Sequence, residues 1–466
     1  MILRRPSYRF QVIVADTQRK TQRRVVDPAR RAAYDALRAV HADHAYANLI
    51  LPRLLDDRGI HGRDAAFATE LLAGTCRLEG TYDLIIAAAA GRKINSLQPA
   101  VLDVLRLGAH QVLSMRVPPH AAVAATVNLA AAAVGDRVTG ITNAVLRKVA
   151  AQDWTAWTER LSAGADDRHR LAITTAHPGW VVDAYADVLP TPEWEPALLA
   201  NNVSPPISLA VRPGLVTVEE LQAAGATPGR LSPFAASWTG NPADLTAVRD
   251  GRAGAQDEGS QLVAWGLTRV GAPPGRWLDL CAGPGGKTAL LTGLARADGS
   301  AVVANEISAH RARLVVAAVR AYPLDQRATV MMAEGGRPAW RPGSFSRVLA
   351  DVPCTGLGAL RRRSESRWRR SPADVEQLHA LQSTLLAAAL DATAPGGVVG
   401  YVTCSPHRRE TSDVVEEALA SRPEFTVLDA ADVLPELAEA TRGPYLQLWP
   451  HRHGTDAMFA AYLRRR

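Results

Sequence analysis

The chain has 466 residues, of which 47% are hydrophobic and 21% are charged, as expected for a globular protein of two to four domains. Its uncharged stretches are shorter than the ~18 apolar residues of a membrane span, and its four cysteines form no C-x-x-C pair. These features exclude a membrane protein, a disulfide framework and a zinc site, and they predict a cytoplasmic protein without a metal. The net charge of +7 favours a polyanionic partner.

The N-terminal part of the chain is predicted to be a basic arm followed by a helical domain. Residues 1–26 are expected to be flexible, because residues 1–30 carry eight basic side chains against two aspartates. Asp27 and Pro28 form a helix-start signal, an N-cap followed by proline. From there to residue 150 apolar side chains recur at helical spacing without a convincing strand, which predicts an all-helical domain over residues 27–150.

Three segments of this domain resemble the NusB-like all-helical RNA-binding domain, and the order and spacing of the segments carry the resemblance. They are residues 104–113, 117–122 and 142–148. The resemblance implies that the helical domain binds RNA. Residues 151–255 contain several turn signals but no catalytic motif, and they are predicted to form a connecting region of helices and strands.

Residues 256–466 alternate strand-like and helix-like runs, which predicts an α/β domain with a mostly parallel sheet. A glycine-rich turn joins its first strand to a helix, so that backbone N–H groups can approach a ligand. The turn consists of Cys281, Ala282, Gly283, Pro284, Gly285, Gly286 and Lys287. A P-loop-like nucleoside-triphosphate hydrolase is one interpretation, since Gly286-Lys287-Thr288 fits a Walker A loop. Cys281, however, stands where that loop requires its first glycine.

Acidic residues end successive predicted strands at Asp279, Glu306, Glu334 and Asp351. Such a series repels a triphosphate and suits a neutral or cationic nucleoside, such as S-adenosylmethionine. Glu306 lies twenty residues after Gly286, the spacing at which an acid holds ribose hydroxyls. Glu334 is predicted to reach an adenine base. The alternative to a nucleoside-triphosphate hydrolase is therefore an enzyme that binds a nucleoside without a triphosphate.

Two cysteines, Cys354 and Cys404, follow short apolar runs that are predicted to be buried strands. Side chains at the carboxyl ends of neighbouring strands point into one crevice, so both thiols are expected beside Asp351. One reaction that uses two thiols and an acid is methyl transfer to C5 of a cytosine. Cytosine C5 is too weak a nucleophile to attack a methyl sulfonium directly. Adding a thiolate to C6 activates C5, an acid near N3 stabilises the resulting charge, and a second thiol can assist release. The target base must leave its stack to enter such a pocket.

The blocks at residues 279–288, 351–358 and 401–405 resemble those of RNA cytosine-5 methyltransferases. With the NusB-like domain in front, residues 27–466 are similar to the Fmu/Sun (RsmB) branch. The resemblance implies a Rossmann-like class I methyltransferase domain. It also implies methyl transfer from S-adenosylmethionine to C5 of a cytosine in 16S ribosomal RNA, through a covalent cysteine–C6 adduct.

By the same resemblance, Cys404 is the nucleophile, Cys354 assists product release and Asp351 reaches toward the target base. The resemblance places Glu306, Glu334, Asp351 and the glycine-rich turn around the cofactor. Glu306 and Glu334 stand where aspartate is usual in the family.

An arginine cluster after Cys354 is predicted to hold RNA phosphates at the mouth of the cleft. Its members are Arg361, Arg362, Arg367, Arg369 and Arg370. The expected enzyme is a monomer that acts on ribosomal RNA. A third interpretation is a non-catalytic RNA-binding assembly factor built on the NusB-like domain, in which both thiols could be replaced without effect.

Overall fold

The computed structural model describes residues 26–337 and 339–466. The predicted basic arm, residues 1–26, therefore lies outside the described residues except for Val26. Within the described ranges no helix is both long enough and apolar enough to cross a bilayer.

The N-terminal domain is helical, as predicted, and packs around its longest helix. The first helix begins where the sequence indicates, because Asp27 Oδ1 accepts a hydrogen bond from the Arg30 N–H at 2.8 Å. Leu71, Leu72 and Leu107 are almost fully buried in the centre of the domain. The helices are α1 (Pro28–Ala42), α2 (Ala47–Asp57), α3 (Gly62–Ala90), α4 (Pro99–Leu113), α5 (Pro119–Ala133) and α6 (Thr139–Val149).

A charged cluster is buried between α1, α3 and α4. The Asp103 carboxylate accepts from Arg38 Nη1 at 2.6 Å and lies 2.8 Å from His41 Nδ1. The other ring nitrogen of His41 lies 3.1 Å from Glu79 Oε2. Burial alone would lower the pKa of His41, but the hydrogen bonds with the two carboxylates raise it to about 9. His41 is therefore a cation that links α1 to α3 and α4 at neutral pH.

The connecting region contains helices followed by an antiparallel sheet with the strand order β2-β3-β1-β4. Its helices pack against the C-terminal domain, where the Tyr185 hydroxyl donates to the Leu357 carbonyl at 2.9 Å. The elements are α7 (Trp154–Leu161), α8 (Asp167–Thr174), α9 (Gly179–Ala186), α10 (Trp194–Ala200), β1 (Ile207–Val211), α11 (Val218–Ala223), β2 (Thr227–Pro228), β3 (Ala235–Trp238), α12 (Thr246–Arg249) and β4 (Ala253–Ala255).

The C-terminal domain is an α/β domain with a parallel central sheet, as the alternating pattern predicts. Its first part comprises α13 (Glu258–Arg269), β5 (Trp277–Asp279), α14 (Gly286–Ala297), β6 (Val302–Asn305), α15 (Ala309–Val319), β7 (Thr329–Met331), β8 (Phe345–Asp351), α16 (Ser366–Arg369) and α17 (Pro372–Ala392). Its second part comprises β9 (Thr393–Thr403), α18 (Ser412–Ala420), β10 (Phe425–Leu428), α19 (Ala430–Val433), β11 (Thr441–Arg442), β12 (Tyr445–Gln447), α20 (Pro450–His453) and β13 (Phe459–Arg465).

The sheet order β11-β12-β13-β9-β8-β5-β6-β7 places β5 and β8 side by side, with β9 next to β8. The strands from β9 to β7 in this order are parallel, whereas β13 is antiparallel to β9. Successive side chains of β8 alternate between two cores, one shared with α13 and α14 and the other with α17 and α18. The buried strands thereby fix the crevice at their carboxyl ends, where ligands bind in such sheets.

Candidate active site

The two predicted thiols meet at the carboxyl ends of β8 and β9. In the parallel register Asp351 pairs with Val402, so the loops after the two strands leave the sheet side by side. Cys354 Sγ lies 3.2 Å from Cys404 Sγ, and both cysteines are free thiols. The hydrogen bond with Cys404 and burial raise the pKa of Cys354. Cys354 therefore keeps its proton within hydrogen-bond distance of the Cys404 sulfur.

An ion pair lies beside the thiols. Lys287, the last residue of the glycine-rich turn, places Nζ 2.8 Å from Asp351 Oδ2 at the end of β8. Burial opposes the charge on Lys287, but the attraction of Asp351 outweighs it and raises the lysine pKa, with a smaller contribution from Cys404. The structure thus brings together two thiols, one carboxylate and one ammonium. The sequence predicts all four groups at the site, but it does not predict the ion pair between the ammonium and the carboxylate.

The glycine-rich turn has the tight shape that its sequence predicts. Gly285 has a φ of +110° and precedes α14, a conformation that favours glycine. A Cβ on Gly283 would lie 3.0 Å from Arg311 Cβ and closer still to the Glu306 carboxylate. The Ala282 N–H donates to the Asn305 carbonyl at 2.9 Å, which ties the turn to β6. Burial and the neighbouring carboxylates raise the pKa of Cys281, so this thiol stays protonated.

Two of the predicted strand-end acids, Glu306 and Asp279, are buried near this turn. Glu306 is 3% exposed and accepts hydrogen bonds from the N–H groups of Gly283 at 3.0 Å and Ser308 at 2.9 Å. Asp279 is 1% exposed and accepts from Thr288 Oγ1 at 2.6 Å. Burial raises the pKa of Asp279 to about 7. Its second oxygen, Oδ1, has no hydrogen-bond partner in the described part of the chain.

Glu334 is placed differently from the other acids. It lies in the exposed loop after β7, where its carboxylate is 3.8 Å from Arg337 Nε. Its role toward an adenine stays a prediction.

The donor set of the site fits a cationic nucleoside better than a triphosphate. A triphosphate in the turn would meet the carboxylates of Asp279, Glu306 and Asp351, and Lys287 already pairs with Asp351. The unpartnered Oδ1 of Asp279 is a free acceptor beside the turn, available to a donor group of a nucleoside ligand. The residues present therefore fit S-adenosylmethionine, and they disfavour the nucleoside-triphosphate hydrolase.

The structure corrects the predicted RNA-binding role for two arginines of the cluster, Arg361 and Arg367. Arg361 is buried and forms ion pairs with Asp257 at 2.8 Å and Asp456 at 2.6 Å. Arg367 is fully buried and donates to the Ala176 carbonyl at 3.0 Å, and burial lowers its pKa to about 9. Neither guanidinium faces solvent, so neither can contact an RNA phosphate in this arrangement.

The same segment anchors the catalytic domain to the helical domain. Trp368 Nε1–H donates to the Cys76 carbonyl of α3 at 2.9 Å, and the indole ring lies over Gly80. Arg369 Nη2 donates to the Val40 carbonyl of α1 at 2.9 Å. Glu365 Oε1 lies 3.4 Å from the first N–H of α2, an end that lacks a side-chain cap of its own. Residues 364–369 therefore form an interdomain anchor directly after the Cys354 loop.

The remaining arginines of the cluster are more accessible. Arg362 pairs with Asp257 and Asp456, while Arg370 lies 3.3 Å from Asp374 with 39% of its side chain exposed. Arg363, which lies in the same segment but is not among the predicted RNA-binding residues, is exposed. An RNA-binding role for Arg362, Arg369 and Arg370 stays a prediction.

The sequence reasoning missed a buried acid that joins the two thiol loops. Glu410 is fully buried, and its Oε1 accepts from the Thr355 N–H at 2.7 Å and from Gln382 Nε2 at 3.1 Å. Its signal in the sequence is weak, because an acid that follows Arg408 and Arg409 is typical of a solvated charged turn.

Comparison with known proteins identifies the family. A family model described as 16S rRNA methyltransferase RsmB/F matches residues 272–464, and the NusB family model matches residues 27–151. A Mycobacterium tuberculosis H37Rv protein whose name describes it as a methyltransferase is 51% identical, over 96% of this chain and 98% of its own length. Ribosomal RNA small subunit methyltransferase B of Pseudomonas putida is 31% identical, over 86% of this chain and 91% of its own. The chain belongs to the RsmB/F family.

A solved structure shares the fold of this chain over most of its length. The crystal structure of the protein PH0851 superimposes on 95% of this chain and 99% of its own length with a TM-score of 0.77, at 20% sequence identity. The predicted combination of a NusB-like helical domain with a Rossmann-like methyltransferase domain is therefore confirmed for this RsmB/F protein.

Proposed function

We propose that this RsmB/F protein transfers a methyl group from S-adenosylmethionine to C5 of a cytosine in small-subunit ribosomal RNA, through a covalent cysteine–C6 adduct. The observation that carries the proposal is the 3.2 Å approach of Cys354 and Cys404 beside the Lys287–Asp351 ion pair. The Pseudomonas putida relative named as a small-subunit rRNA methyltransferase supports the substrate class. The helical domain, which matches the NusB family, is proposed to bind the RNA.

Cys404 is proposed to be the nucleophile, as the family resemblance implies. The Cys354 sulfur lies 3.2 Å from the Cys404 sulfur, and the Lys287 ammonium attracts negative charge on Cys404. This attraction favours the thiolate that adds to C6 of a flipped cytosine. The C6–Sγ bond forms with the thiolate electron pair, and the displaced π electrons move into C5 and the ring.

Asp351 is proposed to hold the base through its exocyclic amine, which donates to the carboxylate. Its Oδ2 accepts a hydrogen bond from Lys287, and its Oδ1 can accept one from the exocyclic N–H of the cytosine. The Lys287 ammonium offsets the negative charge that the attack places on the ring.

The glycine-rich turn, Glu306 and Asp279 would hold S-adenosylmethionine. When bound, it supplies the electrophilic methyl group for C5. Release then requires that the C5 proton passes to a water molecule, that its bonding pair restores the C5–C6 double bond, and that Cys404 departs as a thiolate. The Cys354 S–H is placed to stabilise that departing thiolate.

Product analysis tests the proposal. Small-subunit rRNA that lacks the modification is incubated with the protein and S-adenosylmethionine, and its nucleosides are separated by mass spectrometry. We expect 5-methylcytidine with the wild type and none with Cys404→Ala. Methylation at another base or another cytosine atom, or full activity of Cys404→Ala, would contradict the proposal.

A further inference from the structure

Glu410 occupies an unusual position for a carboxylate. It lies in the turn between β9 and α18, six residues after Cys404, and it is fully buried. Burying a carboxylate is costly unless hydrogen-bond donors surround it. The donors come from the other thiol loop, because the Thr355 N–H reaches Oε1 at 2.7 Å and the Thr355 hydroxyl reaches Oε2. Gln382 Nε2 of α17 lies 3.1 Å from Oε1 and 2.8 Å from the Pro353 carbonyl.

These bonds belong to a set that joins the two loops on either side of the thiols. Thr355 directly follows Cys354, and its hydroxyl also lies 3.4 Å from Ser405 Oγ, which directly follows Cys404. The Gly358 N–H donates to the Cys404 carbonyl at 2.9 Å. A Cβ on Gly358 would lie 2.8 Å from that carbonyl oxygen, so the loops are in close backbone contact. These hydrogen bonds therefore fix the separation of the two sulfur atoms, and Glu410 supplies their buried acceptor.

We propose that Glu410 is a positioning residue for product release, which holds the Cys354 thiol against Cys404 by binding Thr355. The inference rests on the proposed function. The negative charge of Glu410 also disfavours ionisation of Cys354, whose pKa is raised mainly by its hydrogen bond with Cys404 and by burial. The thiol thus stays protonated and aimed at the sulfur that must leave C6. The attack of Cys404 does not need this donor in the same way, because Lys287 also attracts its thiolate.

Two substitutions separate positioning from general loss of structure. Glu410→Ala removes the two carboxylate oxygens that accept from Thr355 and Gln382. Glu410→Gln retains an amide oxygen for the two N–H donors, and its amide N–H can donate to the Thr355 hydroxyl. The matched control is Glu417→Ala, which removes a half-exposed carboxylate of α18 that bonds to His379 and Arg409 instead of the thiol loops.

The experiment measures, for each protein, the rate of adduct formation with RNA and the rate at which the adduct disappears. Glu410→Ala is expected to form adduct at nearly the wild-type rate and to release it about 10- to 100-fold more slowly, the effect of a misplaced catalytic group. Glu410→Gln and Glu417→Ala are expected to release at nearly the wild-type rate. If Glu410→Ala does not fold, Thr355→Val, which removes only the hydroxyl contact, is expected to slow release in the same direction.

Normal release by folded Glu410→Ala would overturn the inference, as would equal loss of attack and release. Release by Glu410→Gln as slow as that by Glu410→Ala would also overturn it, since the hydrogen bonds would then not be the cause. Where Glu410→Ala is unfolded, normal release by Thr355→Val overturns it. Cys354→Ala is the reference: absence of any adduct in that variant refutes the proposed function itself, whereas its presence leaves only the role of Glu410 in question.

Discussion

The substitution Gly80→Ala, which adds one methyl group to α3, tests whether Trp368 anchors the catalytic domain to the helical domain. Gly80 lies in the interior of α3, and a Cβ there would be 3.1 Å from Trp368 Cε3 and closer still to two other ring carbons. The indole cannot turn away freely, because its Nε1–H donates to the Cys76 carbonyl at 2.9 Å. Gly80→Ala must therefore displace the ring or shift the helix.

The expected change in the free energy of unfolding follows from opposing effects. Alanine stabilises a helix interior by about 1 kcal/mol relative to glycine. Overpacking destabilises by about 1–3 kcal/mol, and loss of the indole hydrogen bond by about 1 kcal/mol more. Gly80→Ala should therefore destabilise the protein by about 1–3 kcal/mol. In a Trp368→Ala background the steric conflict is absent, and the same change should stabilise by up to about 1 kcal/mol.

Denaturant unfolding followed by circular dichroism measures this double-mutant cycle. Gly140→Ala on α6 is the control, because a Cβ at Gly140 meets no described atom within 4 Å. That control should be neutral or slightly stabilising. The reasoning is refuted if Gly80→Ala behaves like Gly140→Ala in the wild type, or if its effect keeps the same sign without Trp368.

Further predictions concern charge. The pKa of His41 is raised from 6.5 to about 9, so protonated His41 contributes about 3 kcal/mol to the free energy of unfolding below pH 6.5, and this contribution is lost as the pH rises through 9. The difference in the free energy of unfolding between wild type and His41→Gln, measured by denaturant unfolding at several pH values, should therefore shrink between pH 6.5 and about 9. Glu306→Gln should weaken S-adenosylhomocysteine binding about 10-fold in calorimetry, because a charge-assisted bond to the glycine-rich turn is lost. Arg370→Ala should weaken RNA binding with little change in stability, whereas Arg367→Ala should chiefly destabilise the protein; the reverse pattern would contradict the assigned burial.

The parts of the fold and site that could be predicted depend on local or periodic sequence features. Helical spacing predicts the N-terminal domain, and the N-cap at Asp27 marks its first helix. The parallel strands bring Cys354 and Cys404 together because both follow strands of the same sheet. The division of roles between the thiols came only from the family resemblance.

Other features depend on contacts between distant residues and left no local signal. Arg361 looks like a solvated charge until its partners, Asp257 and Asp456, are brought to it by the fold. The burial of Glu410 is equally invisible in the sequence, because its hydrogen-bond donor Thr355 belongs to another loop and is brought to it by the fold. Strands are expected in the connecting region, but the positions of β1–β4 could not be predicted because strands of two to five residues are too short to show a period.

The covalent intermediate tests the central claim, that Cys404 attacks the cytosine and Cys354 assists release, most directly. Cys354→Ala is incubated with unmodified small-subunit rRNA and S-adenosylmethionine, resolved on a denaturing gel, and digested for peptide mass spectrometry. The account predicts an RNA-linked protein whose modified peptide contains Cys404, and no such species when Cys404→Ala is added to the same variant. An adduct on another residue, or 5-methylcytidine formed by the Cys404→Ala protein, would contradict it.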